Sequence, residues 1–305
     1  MNRRTFLELN AAGAITAGLS TTYAQQPAAP RKLKRKQGVT RQCFPKEMSF
    51  DECCRKAAEL GAIGFDLSDD PDTWPTLKKY GLTNSMFRLV APLSAPTTPG
   101  GRGAAPVGWG AVGMKEAQGL YLQKYLEGID TAAANGFPNA LLAAGGRNQN
   151  KITYEEGLDN TVEFCNQVKQ RAEDKKVTIC LEFLNSKGQA APPQSLFDHM
   201  SWGVEVIKRV NSPRVKILFD IFHAQLMEGD IADTIRKNIQ YIGHIHTGGV
   251  PGRHQLDETQ EINYRFVAQT IASTGFDGMI THEWSPAPGV DAIEALRKSI
   301  EIMDA

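Results

Sequence analysis

The chain lacks several features that would narrow its class at once. Its 34 Lys and Arg balance 34 Asp and Glu, so the formal net charge is zero and nothing in it attracts nucleic acid or an anionic membrane. Six histidines in 305 residues are few for a metal-dependent endonuclease, which the neutral charge also disfavours. The five cysteines, Cys43, Cys53, Cys54, Cys165 and Cys180, are odd in number and irregular in spacing, which excludes a simple disulfide framework. Cys54 and Cys165 fall in helical patterns and Cys180 in a strand pattern, so buried thiols are expected. The apolar stretch 9–19 is too short and too rich in Ala, Gly and Thr for a membrane-spanning helix.

That stretch has another reading. It follows Arg3-Arg4 in RRTFLE and leads to the small residues before Thr22-Tyr23-Ala24, the order of a secretory signal with a twin-arginine start. Residues 1–24 are therefore expected to be a signal peptide cleaved near Ala24, giving a periplasmic or otherwise exported protein; the plainer alternative is a disordered basic N-terminus. Removing them takes two Arg and one Glu and leaves a net charge of −1. No Cys stands at the cleavage point, so a lipid anchor is not expected. Residues 25–37, QQPAAPRKLKRKQ, read as a basic, Pro-containing, solvated linker.

From residue 38 to 305, short apolar runs alternate with longer amphipathic ones, the mark of βα units and a parallel sheet. Strands are expected at 39–44, 63–67, 84–90, 140–144, 177–183, 215–221, 242–246 and 279–283. Helices are expected between them, including 49–60, opened by the cap box in SFDE, then 74–80, 115–135, 154–174 and a last one at 290–303. Eight strand-then-helix repeats select a single-domain α/β protein, a (β/α)8 TIM barrel. The connection 91–113 is long and rich in Pro and Gly; an active-site lid carrying Arg102 and Trp109 competes there with a plain insert.

Four of the eight strands end in a chemically coherent set: Glu182 in ICLEF, Asp220 in ILFDIFH, His246 in IGHIHTGG and Glu283 in MITHEW. Three carboxylates and an imidazole suit one divalent ion, Mn²⁺ or Mg²⁺ better than a thiolate-held structural Zn²⁺, with Co²⁺ or Zn²⁺ admissible. TIM-barrel catalytic groups sit at the C-terminal ends of the strands. A lone Glu at a strand end is more often an ion-pair or capping partner; four such residues on four successive strands shift the balance. His244 is expected to point away from the barrel interior and is left out of the metal set. Asn185 and Lys187 follow Glu182 onto the same face, where a solvated lysine is at least as good a reading as a substrate contact. Glu261 is expected to cap the seventh helix. The pairs Gly145-Gly146 and Gly248-Gly249 read as tight βα turns more readily than as a phosphate grip.

The strings LEFLNSK, FDIFHAQLMEGD, IGHIHTGGVPGRHQLDETQEINY and GFDGMITHEWSP resemble the hydroxypyruvate isomerase family, within the xylose-isomerase-like TIM barrels that include sugar epimerases. The resemblance covers the chain from about residue 38 onward. It implies a metal held by Glu182, Asp220, His246 and Glu283, and substrate contacts from His223 and Arg253. Hydroxypyruvate isomerases tend to carry Gln at the third ligand position, whereas His is usual in ketose 3-epimerases, so His246 bears on the substrate and not on the metal.

Isomerising an α-hydroxy carbonyl requires moving a proton between adjacent carbons through an enediolate. Glu182 and Glu283 are the expected acid/base pair as well as ligands. His223 is placed to hydrogen-bond a substrate oxygen or to orient Asp220. Arg253 is placed either to hold a substrate carboxylate or to pair with Asp257, Glu258 or Glu261 on its own loop. The leading expectation is hydroxypyruvate isomerase-like chemistry on a small keto acid. A ketose 3-epimerase or aldose-ketose isomerase on free sugars comes next, then an inosose dehydratase-like lyase or a non-catalytic carbohydrate-binding protein. Neither nucleic acid nor stable membrane insertion is expected; association into a homo-oligomer is compatible with such barrels.

Overall fold

The structure, a computed structural model, describes residues 31–88, 112–147, 152–188 and 194–305. The expected signal peptide 1–24, residues 25–30 of the linker, and residues 91–111 of the long connection, with Arg102 and Trp109, lie outside the described residues.

Strand and helix alternate along the chain as β1 (Gln37–Val39), α1 (Phe50–Glu59), β2 (Gly64–Phe65), α2 (Trp74–Lys79), β3 (Phe87–Arg88), α3 (Lys115–Asn135), β4 (Asn139–Leu142), α4 (Tyr154–Lys175), β5 (Thr178–Glu182), α5 (Met200–Val210), β6 (Val215–Asp220), α6 (Ile221–Met227), α7 (Ile231–Asn238), β7 (Ile242–Thr247), α8 (Tyr264–Ser273), β8 (Met279–His282) and α9 (Ala292–Met303). The sheet order is β2-β1-β8-β7-β6-β5-β4-β3 and every neighbouring pair is parallel. Its two ends meet through residues 83–86: the Phe65 N–H donates to the Thr83 carbonyl at 2.8 Å and the Leu67 N–H to Met86 at 3.0 Å. The result is a closed (β/α)8 barrel, with no sheet edge left open among the described residues.

Strand alternation sorts the apolar residues into two cores. Met86, Leu141, Cys180 and Leu218, with Leu67 against them, fill the barrel. The residues between them, such as Leu142, Ile179, Leu181, Ile217 and Phe219, face outward into the larger core under the helices. All five cysteines are buried and free. Burial pushes the Cys54 and Cys165 thiols up to about 12, so neither is a nucleophile near neutral pH. No helix among the described residues is long and apolar enough to cross a membrane.

Local chemistry explains where elements begin and end. Ser49 caps α1 in a reciprocal box with Glu52, in keeping with the SFDE string. Ser49→Ala removes that acceptor and should cost about 1 kcal/mol. A thermal melt should show a loss of roughly 2–4 °C with catalysis untouched. β1 is shorter than its apolar run because Thr40 and Cys43 turn back onto one acceptor, the His282 carbonyl, taking Arg41–Cys43 into a 3-10 turn. Glu261 does not cap α8. Asn263 does, through the Phe266 N–H at 3.2 Å, while Glu261 accepts from Gln225. The strand β6 runs straight into α6 because its last residue, Asp220, is also the helix cap, accepting the His223 N–H at 3.2 Å.

Candidate metal and active site

The same alternation aims particular side chains at one mouth of the barrel. Glu182 closes β5, Asp220 closes β6, His246 is the penultimate residue of β7, and Glu283 follows β8. Each offers a ligand atom, and the four atoms lie within 4.8 Å of one another. Glu182, Asp220 and His246 are buried and Glu283 is half-buried. Charged carboxylates this close repel one another, and the two glutamates are driven apart in proton affinity. Burial, then the neighbouring Glu283, pushes Glu182 up to about 8. Burial acts the same way on Glu283, but Arg253 and His246 outweigh it and hold that carboxyl down to about 2.

His246 shows how the set fits an ion. Its Nδ1 is buried and poorly aligned for a hydrogen bond, although Glu283 Oε2 is 2.6 Å away and Asp220 Oδ2 3.9 Å away; burial would lower the ring, but Glu283 and Asp66 hold it well above its ordinary value. An imidazole nitrogen aimed among carboxylates, beside three hard oxygen donors within 4.8 Å, offers a donor set for a divalent cation once its proton is displaced. These four residues could together hold one divalent metal ion. Taking it up must displace the proton that Glu182 keeps below about pH 8. Calorimetry of metal uptake in buffers of different ionisation enthalpy should therefore show at least about one proton released per ion at pH 7, declining as the pH rises past 8 and Glu182 ionises beforehand.

Arg253 lies inside this cluster and not where its own loop's charges would draw it. Nη2 is 2.5 Å from both Asp220 Oδ2 and Glu283 Oε2, and Nε donates to the Glu283 carbonyl at 2.8 Å. The expected alternative pairing with Asp257, Glu258 or Glu261 is thus replaced by one with buried acids, whose field is stronger away from water. Gly248 makes the approach possible: a Cβ there would meet Arg253 Cγ at 3.0 Å. His223 is buried next to it, with Nε2 2.8 Å from Arg253 Nη1 and Nδ1 2.7 Å from Asn185 Nδ2. Burial lowers His223 to about 4, so the ring is neutral. Asn185 is itself oriented by the Lys187 N–H at 2.9 Å, and the Lys187 side chain is exposed.

His244 overturns its expectation. Residues two apart in a strand share a face, so His244 points into the barrel with His246, ring centroids 5.1 Å apart. It contacts Asp66, a residue that the pattern of strand ends did not single out. Against burial, which works the other way, His244 and His246 hold the Asp66 carboxyl well below the usual carboxylate range. A carboxylate inside the apolar run IGFDL was the available signal, because a buried charge needs a partner.

A family model described as "Xylose isomerase-like TIM barrel" matches residues 54–305. The chain belongs to this family. Among its relatives is the 2-oxo-tetronate isomerase of Cupriavidus necator, 34% identical over 116 residues, a match spanning 38% of this chain and 43% of the relative's length. A Danio rerio protein assigned by name to the hydroxypyruvate isomerases is 29% identical over 208 residues, 66% of this chain and 73% of that one. Among solved structures, a family 2 AP endonuclease from Brucella melitensis superposes with a TM-score of 0.69 at 24% identity, covering 86% of this chain and 96% of the other. At that identity it speaks for the barrel and not for its chemistry.

Proposed function

We propose that this family member is a metal-dependent isomerase of small α-hydroxy carbonyl compounds, acting on hydroxypyruvate or a closely related keto acid. The observation that carries the reading is the convergence of Glu182, Asp220, His246 and Glu283 within 4.8 Å at one end of the barrel. The names of the relatives point to the same reaction class.

When bound, a divalent ion, Mn²⁺ or Mg²⁺ by its oxygen-rich ligands, would supply Lewis-acid stabilisation of charge on two adjacent substrate oxygens. The chain's own residues move the proton. A carboxylate takes it from the hydroxyl-bearing carbon, the C–H electron pair becomes the C=C bond of an enediolate, and the former carbonyl oxygen takes the charge. The hydroxyl proton passes to the former carbonyl oxygen, the oxygen it leaves forms the new C=O, and the C=C electron pair takes the carbon-bound proton back at the former carbonyl carbon. Glu182 and Glu283 come from β5 and β8, three strands apart round the barrel, and act as the acid/base pair, with unequal proton affinities suited to divided roles. His223, neutral and buried, hydrogen-bonds a substrate oxygen. Arg253 orients a substrate carboxylate through its planar fork.

A second reading, a ketose 3-epimerase, rests on His246 standing where hydroxypyruvate isomerases tend to have Gln. The twin-arginine-like start supports export of a folded, metal-loaded protein, and an exported enzyme would meet sugars or their oxidised derivatives.

Metal-loaded protein incubated in D₂O with hydroxypyruvate, ketoses and inososes tests these readings by NMR. Enzyme-dependent deuterium uptake beside the carbonyl of hydroxypyruvate, with an aldehyde product, is the expected result. Exchange only with ketoses would select the epimerase, and none with any of them would remove the isomerase reading.

A further inference from the structure

We infer that Asp66 is a positioning residue for the metal site, fixing the tautomer of His246 so that its Nδ1 lone pair faces the ion. The inference rests on the metal-ligand reading above and extends it to a residue outside the four ligands.

The argument is one of donors and acceptors. His246 Nε2 lies 3.1 Å from Asp66 Oδ2. An ionised carboxylate only accepts, so Nε2 carries hydrogen, and an ion taking the place of the other ring proton meets the lone pair of Nδ1, the side that faces Glu283 and Asp220. Asp66 cannot turn away, since Ser85 Oγ donates to its other oxygen and His244 Nε2 sits 2.8 Å from Oδ2. The proton of His244 is assigned by the same logic. Asn139 Nδ2 donates to the Ser85 carbonyl at 3.0 Å, which fixes the amide's orientation, and it presents the same nitrogen to His244 Nδ1 at 3.3 Å. His244 Nδ1 is therefore an acceptor and Nε2 carries hydrogen. Donation runs in one direction, from Asn139 to His244 to Asp66, where it meets the hydrogen of His246. Asp66, Ser85, His244 and His246 are all at most 1% exposed, and Gly64 leaves the space Ser85 occupies, because a Cβ on Gly64 would collide with Ser85 Oγ. A buried carboxylate held on three sides orients a histidine ligand rigidly.

Asp66, His244 and His246 also bring three ligand atoms within 4.8 Å of one another, which raises a second ion as the competing account. That account needs His246 to serve two ions through both nitrogens. The hydrogen-bond account satisfies each atom facing Asp66 as it stands.

The test is Mn²⁺ titration of Asp66→Ala and Asp66→Asn beside the native protein, with the metal-free melting temperature of each. Asp66→Ala should weaken Mn²⁺ binding about 10- to 100-fold. Asp66→Asn should recover much of it, since its amide oxygen can accept from both histidines while its nitrogen turns to Ser85 Oγ. A merely structural role would lower the melting temperature and leave Mn²⁺ affinity alone, and that result would overturn the inference. A second measurement does not depend on either variant folding: ¹⁵N-detected imidazole spectra of the native Zn²⁺-loaded protein should place hydrogen on Nε2 of both His246 and His244. Hydrogen on His246 Nδ1, or two ions per chain by elemental analysis, would also overturn it. Failure of the native protein to bind any ion would instead remove the four-ligand reading on which the inference stands.

Discussion

Glu182→Gln should lower kcat by about 10²- to 10⁴-fold, the range a positioned acid/base group contributes, while the protein still folds and still takes up metal. Glutamine keeps one oxygen at nearly the same place, so a ligand position is preserved, but it can neither take nor give a proton. Glu182 is buried against Glu283 and pushed up to about 8, so the native carboxylate changes protonation near neutral pH and the amide does not. The amide also removes a carboxyl that burial and Glu283 force to bind a proton near neutral pH. The metal-free variant should therefore be as stable as the native protein or slightly more so, which separates lost chemistry from lost fold. Deuterium uptake into substrate is the decisive readout, because it reports proton removal even where later steps are slow. A Glu182→Gln enzyme that exchanges at the native rate would leave Glu182 as a ligand only and move the base role elsewhere.

Much of this arrangement was legible because a TIM barrel converts sequence position into spatial position. Once eight βα units are counted, residues closing strands five to eight must meet at one mouth, and Glu182, Asp220, His246 and Glu283 do meet there. Three features were harder to read, each for a physical reason. Asp66 comes directly after a strand of only two residues, so no periodicity marked its inward direction. His244 was assigned the wrong face although the two-residue repeat places it beside His246; strand geometry alone sets the distance between their rings. Arg253 has a backbone φ of +57° on a loop with its own acids, and nothing local says that it reaches across to Asp220. Long-range electrostatics decided that pairing, and sequence spacing carries no record of it.

Asp220 combines three tasks, and two substitutions should pull them apart. Its Oδ1 caps α6 through the His223 N–H, its Oδ2 meets Arg253, and the same carboxylate belongs to the ligand set. Asp220→Asn keeps a capping oxygen, since Asn caps as well as Asp; it relieves repulsion with Glu283 and gives up the pair with Arg253, which Glu283 still holds. The metal-free variant should melt near the native temperature, relieved repulsion offsetting the weakened hold on Arg253. Its metal affinity should nevertheless fall by more than about 100-fold, beyond the range typical of residues that only orient ligands, and activity should fall with it. Asp220→Ala loses the cap as well, at about 0.5–2 kcal/mol, and releases the turn that carries His223. It should melt several degrees below Asp220→Asn while binding metal no better. Equal melting temperatures for the two would mean that the cap contributes nothing, and near-native metal affinity in Asp220→Asn would take Asp220 out of the ligand set. A variant that keeps or gains stability while losing its ion is the behaviour expected of a fold that tolerates buried repulsion for the sake of the cation relieving it.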